Sequence, residues 1–278
     1  MSNIGPIVSV IIPCFNQGAF VDEAVESVLD QTFKDFEIII VNDGSTDEYT
    51  LNKLKNYNKP KCKVIHTINQ GPSTARNTAI LAALGKYILP LDADDRIGPG
   101  YLEEASKILD KEIEIGIVYS ETEFFGTRKG KWNLPCFSIE KILVINMITC
   151  CAMFRKVDYL KTSGYNPNMK YGFEDWDFWL SLIELGIGVY KIPDVYFYYR
   201  IGNTNSRLTT LNQSLEKRKH SLNTIYLNHL GFYIDNMDNP IELYLKLNKL
   251  LLSKDYKTGR LIINPFRKIK KVLKKILM

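Results

Sequence analysis

Apolar runs that stop abruptly at polar clusters, with helical spacing between them, constrain this chain most. Ile7-Val8-Ser9-Val10-Ile11-Ile12 stops at Pro13, and Phe36 to Val41 stops at Asn42-Asp43-Gly44-Ser45. Lys63-Val64-Ile65-His66 is a third run, and Tyr87 to Leu91 a fourth that ends at Asp92. Between the first two, Val21, Ala24, Val25, Val28 and Leu29 recur at helical spacing, and a second helix is expected from Pro72 to Leu84. Runs without polar alternation are strands covered on both faces. The expected fold is therefore α/β, with a mainly parallel central sheet flanked by helices. Sheets of this kind bind ligands beyond the ends of their strands, which is where the polar residues of this chain cluster.

The second half is less regular. Ile113 to Tyr119, Ile148 to Phe154 and Val195 to Arg200 are expected strands, and Trp176 to Leu185 an expected helix. Residues 124–147, with Gly126, Gly130, Trp132 and Pro135, are expected to form a loop-rich insertion, and 210–253 to be helical. No run of 18 apolar residues is long enough to span a bilayer. The first residues lack the basic and apolar regions of a secretory signal. Five cysteines without metal-ligand spacing suit a reducing compartment, so the expected address is the cytoplasm. The net charge of +5 is unevenly spread: from Lys254 onward nine Lys or Arg face one Asp, which leaves residues 1–253 at −3. A mildly acidic body argues against nucleic acid as a partner.

Three strand or loop ends carry candidate chemistry. Pro13-Cys14-Phe15-Asn16 and Asn42-Asp43-Gly44-Ser45-Thr46-Asp47 place a carboxylate beside an aromatic ring, which suits a nucleobase; turn chemistry and a helix cap at Asp47 are the alternative. Leu91-Asp92-Ala93-Asp94-Asp95 crowds three carboxylates that repel one another unless a cation lies among them. Oxygen donors favour Mg²⁺ or Mn²⁺, ions that commonly also bind substrate phosphates. Gly172-Phe173-Glu174-Asp175-Trp176 sets two carboxylates among aromatics at a helix start, suited either to a positioned base or to capping. The scattered His66, His220 and His229 read as structural, and no P-loop or GxSxG pattern occurs.

Taken in order and spacing, Ser9-Val10-Ile11-Ile12-Pro13, Asn42-Asp43-Gly44-Ser45-Thr46-Asp47, Ala75-Arg76-Asn77, Asp92-Ala93-Asp94-Asp95 and Glu174-Asp175-Trp176 resemble the family 2 glycosyltransferases over about residues 5–207. The resemblance implies the GT-A nucleotide-diphospho-sugar transferase fold. It also implies an inverting, metal-dependent hexosyl- or N-acetylhexosaminyl-transferase that uses a nucleotide sugar, most often a UDP-sugar, with Mn²⁺ or Mg²⁺. Carried over, it places Pro13, Phe15 and Asn16 beside the nucleoside and Asp43 on the base. Asn69 and Arg76 would help hold the nucleotide, and Asp92 would meet the ribose or donor sugar. Asp94 of the Asp92-Ala93-Asp94 (DXD) motif would hold the metal with Asp95 in support. Asp175 would be the base, Glu174 would contact or orient the acceptor, and Arg200 and Ser206 would meet the leaving diphosphate. Relatives commonly carry a His shortly after that arginine, where this chain has Ile201-Gly202-Asn203.

By the same analogy the acceptor is a glycan or lipid-linked glycan in bacterial surface polysaccharide assembly (capsule, O-antigen or a related glycan). The alternatives are a catalytically inactive, membrane-associated nucleotide-sugar binder or a nucleotidyltransferase. The latter would need a Lys-containing phosphate loop, which Cys14-Phe15-Asn16-Gln17-Gly18 does not provide. The expected organisation is a catalytic domain over 1–209, a helical extension over 210–260 and a basic amphipathic tail helix over 261–278. In that tail Phe266, Ile269, Val272, Leu273, Ile276 and Leu277 share one face against Lys and Arg on the rest. It suits an anionic membrane surface, which would make the protein peripheral on the inner face of the cell membrane; docking on the acidic body and a solvated, frayed terminus are the other readings.

Overall fold

The structure, a computed structural model, describes residues 5–202 and 214–259. Ser206 and the tail helix expected over 261–278 lie outside the described residues. The chain forms two compact units, Met1–Leu230 and Gly231–Met278.

The first unit opens with strand-helix alternation: β1 (Val8–Cys14), α1 (Val21–Leu29), β2 (Phe36–Asp43), α2 (Glu48–Lys55), β3 (Cys62–Thr67), α3 (Pro72–Ala82), β4 (Tyr87–Pro90), the short β5 (Arg96–Ile97) and α4 (Tyr101–Lys111). There follow β6 (Ile115–Gly126), β7 (Gly130–Trp132), α5 (Ile139–Ile142), β8 (Met153–Arg155), α6 (Lys156–Tyr159), α7 (Glu174–Ile183), β9 (Gly188–Ile201) and α8 (Leu215–Asn228). Helix α9 (Leu230–Asn236) starts at the last residue of this unit. In the second unit α10 (Pro240–Leu252) is capped by Asn239, whose Oδ1 accepts from the N–H groups of Ile241 and Glu242, with Pro240 at the first helical position.

Strand order is β3-β2-β1-β4-β8-β6-β9-β5, with β7 hairpinned onto β6. The half from β3 to β4 is parallel, in register Val8 with Phe36 and Val8 with Tyr87. Strand β8 joins antiparallel to both β4 and β6, whereas β6 and β9 run parallel. The chain builds outward from β1 to β3 and then returns to the other side of β1 with β4. The ends of β1 and β4 therefore flank a topological switch point, the usual ligand crevice of such sheets. Val10, Ile12, Ile38, Ile40 and Leu89 are fully buried, as strands covered on both faces require. The stripe Val21, Ala24, Val25 and Val28 turns α1 onto this core.

The irregular half departs from the sequence expectations. The strand expected at 113–119 continues to Gly126, because beyond Tyr119 it alternates and buries Ser120 and Thr122, polar residues that mask a strand in an apolar-run reading. The strand expected at 195–200 begins at Gly188, and its pairing with β6 skips Pro193 and Asp194, a break suited to a residue without an N–H. The strand expected at 148–154 shortens to Met153–Arg155. The expected insertion at 124–147 contains β7 and α5. Helix α3 ends at Ala82 rather than Leu84, and α7 starts at Glu174 rather than Trp176.

Helix α7 is fixed from behind by rings. Tyr165 stacks on Phe178 at 4.2 Å, and Phe154 meets Phe178 and Trp179 edge-on at 5.1 and 5.9 Å. Buried aromatic pairs of this kind add about 0.5–1.5 kcal/mol each beyond their area. The helix enters from Phe173, a non-glycine residue at φ 69°, so the turn that aims Glu174 and Asp175 is held in a costly conformation by its surroundings.

Candidate active site

At the end of β1, Asn16 adopts a left-handed conformation and becomes a bracket. Its Oδ1 accepts from the Thr46 N–H at 2.7 Å and the Asp47 N–H at 3.2 Å, and its own N–H donates to Ser45 Oγ at 3.0 Å. Asp47 in turn caps α2 by accepting from Thr50 N–H. The two loops expected at the nucleoside are thus tied to each other. Phe15 beside them is 43% exposed, a free ring face, and Pro13 is half-buried. Asp43, expected on the base, is buried, and its two oxygens accept from the N–H groups of Gln70 at 2.9 Å and Gly71 at 2.8 Å. It therefore organises the loop carrying the exposed Asn69, and any base contact uses its remaining lone pairs. Gly44 permits this approach: at φ +64° a Cβ there would lie 2.4 Å from the Asn69 nitrogen.

The loop after β4 carries the three aspartates, each in different surroundings. Asp92 accepts from Arg76 Nη2 at 2.6 Å. Asp94 is pushed up to about 6, first by burial and then by Asp92, although the Gln17 side chain hydrogen-bonds it. Asp95 is 1% exposed; its Oδ1 accepts from the Arg200 N–H at 2.8 Å, while Oδ2 has no partner among the described residues. Burial and its acidic neighbours hold Asp95 well above the usual carboxylate range.

Arg200, expected at the diphosphate, is engaged within the fold. Its Nε donates to the Asp94 carbonyl at 2.7 Å, Nη2 pairs with Glu23, and its guanidinium lies over the Phe125 ring at 4.3 Å. It shapes the aspartate loop from β9. Arg76, expected at the nucleotide, is 3% exposed and bridges two carboxylates, Asp92 and Glu174 Oε1 at 3.0 Å. The bridge joins two segments distant in sequence, the aspartate loop and the start of α7.

Asp175 projects from the first turn of α7 beside a cavity of about 380 Å³. One oxygen accepts from the Trp176 N–H at 2.8 Å and the other from Asn146 Nδ2 at 3.0 Å. Burial, and then the neighbouring Glu174, push the carboxyl up to about 6. The Trp176 indole N–H donates to the Ile142 carbonyl at 2.7 Å, pinning the insertion to α7. Trp132, Ile145, Thr149, Phe173 and Tyr199 are among the residues that wall the cavity. Of the expected site residues, the structure gathers Arg76, Asp92, Glu174 and Asp175 on this cavity, whereas Pro13, Phe15, Asn16, Asp43, Asn69, Asp94, Asp95 and Arg200 do not line it. Asn146, Thr149 and Arg218 line it without having been expected, and no motif marks them as site residues.

Comparison with known proteins shows the family. The family model described as Glycosyl transferase family 2 matches residues 9–161, more than half of the chain. An uncharacterized glycosyltransferase of Haemophilus influenzae is 30% identical over 273 residues, covering 89% of this chain and 84% of that protein. A chondroitin synthase of Escherichia coli is 33% identical over 188 residues, which is 65% of this chain but 27% of the synthase, so this chain spans only part of that longer relative. Among solved structures, S. aureus TarS in complex with UDP gives a TM-score of 0.58 at 24% identity, covering 82% of this chain and 73% of that one. The mannosyltransferase PcManGT of Pyrobaculum calidifontis, in complex with GDP-Man and Mn²⁺, gives 0.55 at 17% identity, covering 92% and 83%. Such identities speak for the fold, which is GT-A. The family match spans both loops braced by Asn16, Arg76 and the whole aspartate motif, and on that ground the chain belongs to glycosyl transferase family 2.

Proposed function

We propose that the protein is an inverting transferase that moves a hexosyl or N-acetylhexosaminyl group from a UDP-sugar to an acceptor hydroxyl in bacterial surface polysaccharide assembly. The observation that carries this reading is Asp175: a half-buried carboxylate on a cavity wall, held at both oxygens and pushed up to about 6. A carboxylate that accepts protons near neutrality and cannot swing away suits a general base. The relatives add support. One is a minor teichoic acid biosynthesis protein of Bacillus subtilis, 30% identical over 292 residues and covering 97% of this chain but 32% of that protein.

In this reading Phe15 and Pro13 border the nucleoside, and Asp43, Asn69 and Asn16 hold the loops around it. Asp92, one edge of the cavity, meets the donor sugar. The acceptor hydroxyl attacks the anomeric carbon from the face opposite the diphosphate as Asp175 takes its proton, so a single displacement inverts the configuration. Glu174, fixed by Arg76, orients the acceptor, and Arg200 and Ser206 act at the diphosphate end.

The aspartate loop fits a divalent ion. Burial, and then their acidic neighbours, drive the Asp94 and Asp95 carboxyls upward, and a buried Asp95 oxygen lacks a partner among the described residues. Asp92, Asp95 and Cys150 bring ligand atoms within 4.8 Å of one another, but burial pushes the Cys150 thiol well up, which favours a neutral thiol over a soft-metal thiolate. The oxygen donors suit Mn²⁺ or Mg²⁺. Asp94, with Asp95 in support, would hold the ion, which when bound supplies countercharge for the diphosphate. Asp94→Ala is expected to lose turnover while keeping its thermal transition, and excess EDTA to abolish wild-type turnover until Mn²⁺ is restored. Full activity in EDTA would remove the metal from this reading.

The direct test is nucleotide release from UDP-, GDP- and dTDP-sugars; failure to turn over any of them overturns the proposal. For location, the basic segment after residue 259 is proposed to hold the protein on the inner face of the cell membrane, each Lys or Arg near an anionic surface contributing roughly 1 kcal/mol. No helix among the described residues is long and apolar enough to cross a membrane. The full chain is expected to float with anionic but not neutral liposomes at low salt, and a truncation after Gly259 to stay in the load fraction. Equal flotation of both chains overturns the assignment.

A further inference from the structure

We infer that the cavity beside Asp175 takes an acceptor sugar bearing an acid group, a phosphate or a carboxylate, and that Arg218 recognises it. This rests on the glycosyltransferase reading and names the acceptor class for the same site. The wall is mostly apolar and aromatic. Trp132 and Tyr199 pack with tilted rings 5.4 Å apart, and both line the cavity, as do Leu134 and Trp176. Such surfaces pack against the faces of sugar rings, and about 380 Å³ lies within the range of small-molecule sites.

Into this wall come two orphaned polar groups. Thr149, 5% exposed, and the half-buried Asn146 both line the cavity, and Thr149 Oγ1 and Asn146 Oδ1 have no hydrogen-bond partner among the described residues. Buried polar atoms left without partners are costly, so a small side-chain shift that turns either one onto a sugar hydroxyl would be favourable.

Charge accounting then singles out Arg218. Among the described residues, two arginines line the cavity. The guanidinium of Arg76 is committed to Asp92 and Glu174, whereas Arg218 has no carboxylate within ion-pair distance among the described residues. The planar fork of an arginine matches carboxylate and phosphate oxygens in paired hydrogen bonds. Pro13, Phe15, Asn16, Asp43 and Asp94 do not line this cavity, so Arg218 stands on the acceptor side rather than beside the nucleoside.

Its place is also built. Helix α8, which carries Arg218, buries Ser221 and Ile225. At its C-terminal end His229, 2% exposed, lies between Asp177 at 3.4 Å and Glu184 at 3.0 Å, and Asn228 Nδ2 donates to Asp177 Oδ1 at 3.0 Å. Asp177 and the base Asp175 belong to the same helix α7. The cation and the base are thereby held in one frame, with the reacting hydroxyl at one end of the acceptor and its acid group at the other.

The test measures binding of octyl β-D-glucoside, octyl β-D-glucuronide and octyl β-D-glucoside 6-phosphate to the full chain with UDP present, read by quenching of tryptophan fluorescence. The glucuronide and phosphate arms distinguish the two acid groups. At least one acid is expected to bind about tenfold more tightly than the neutral glycoside, and added NaCl to narrow the gap because Arg218 is exposed. Arg218→Gln, checked for an unchanged melting temperature, is expected to erase the preference, and Arg218→Lys to keep part of it. Equal binding of all three by the wild type, or a preference that persists in Arg218→Gln, overturns the inference. UDP release from UDP-GlcNAc by the wild type reports on the transferase reading separately. An acid preference without any donor turnover overturns the acceptor assignment, while donor turnover without an acid preference overturns the acid-recognising role of Arg218 alone.

Discussion

Asp175→Asn is expected to lower kcat by about 10²–10⁴-fold, the usual contribution of a positioned base, while leaving the affinity for UDP within about twofold. The amide keeps the shape and the contact with the Trp176 N–H, but it has no basicity with which to take a proton. The pH dependence follows from the same carboxyl. The base works ionised, and burial beside Glu174 has pushed its pKa up to about 6 from the ordinary value near 4. Wild-type kcat should therefore be level above pH 7 and fall tenfold per unit as the pH drops well below 6; Asp175→Asn should lose this acid limb. An acid limb that survives in the variant, or an unchanged kcat with a raised donor KM, would move Asp175 out of the base role.

Arg76→Met is expected to destabilise the first unit by about 3–5 kcal/mol, the usual cost of removing one partner of a buried ion pair. For a unit of this size that lowers the melting temperature by about 10 °C. The loss arises on the carboxylate side, since Asp92 and Glu174 would both lose the guanidinium that they face at 2.6 and 3.0 Å. Adding Glu174→Gln and Asp92→Asn should recover a large part of the loss by removing the two charges that the guanidinium offsets. A melting temperature for Arg76→Met within a degree of wild type would show that the bridge contributes little to stability.

The parallel half of the fold was legible because its physics is local. Strands such as Ile38 to Val41 are apolar without interruption, and the polar residues after them can only be strand ends. The aspartate motif and Glu174-Asp175 were legible as residue types suited to a chemistry. What those side chains touch was not. The hydrogen bonds from Gln70 and Gly71 to Asp43, the bridge made by Arg76 and the engagement of Arg200 with Glu23 and Asp94 depend on tertiary approach, and no spacing encodes them. The cavity wall was the least visible. Trp132 and Asn146 stand in the stretch read as a loop-rich insertion, Thr149 sits in an apolar run read as a strand, and Arg218 looks like an ordinary solvated cation on a polar helix. Ser120 and Thr122, buried in β6, concealed the length of the strand that supports that wall.

The division of the sheet at β8 has a consequence for how such a chain can change. Every residue assigned to the nucleoside is carried by β1, β2 and the segments that follow them up to α3, whereas the cavity wall is drawn largely from 132–150, 172–176 and β9. A substitution in the second group does not disturb the Asn16 bracket or the Gly44 approach of the first. The two groups can therefore drift at different rates, and a descendant can exchange its acceptor while inheriting its donor intact. For engineering, the same seam makes 132–150 a segment to transplant between relatives, provided that Ile142 still offers its carbonyl to Trp176 and Asn146 its amide to Asp175.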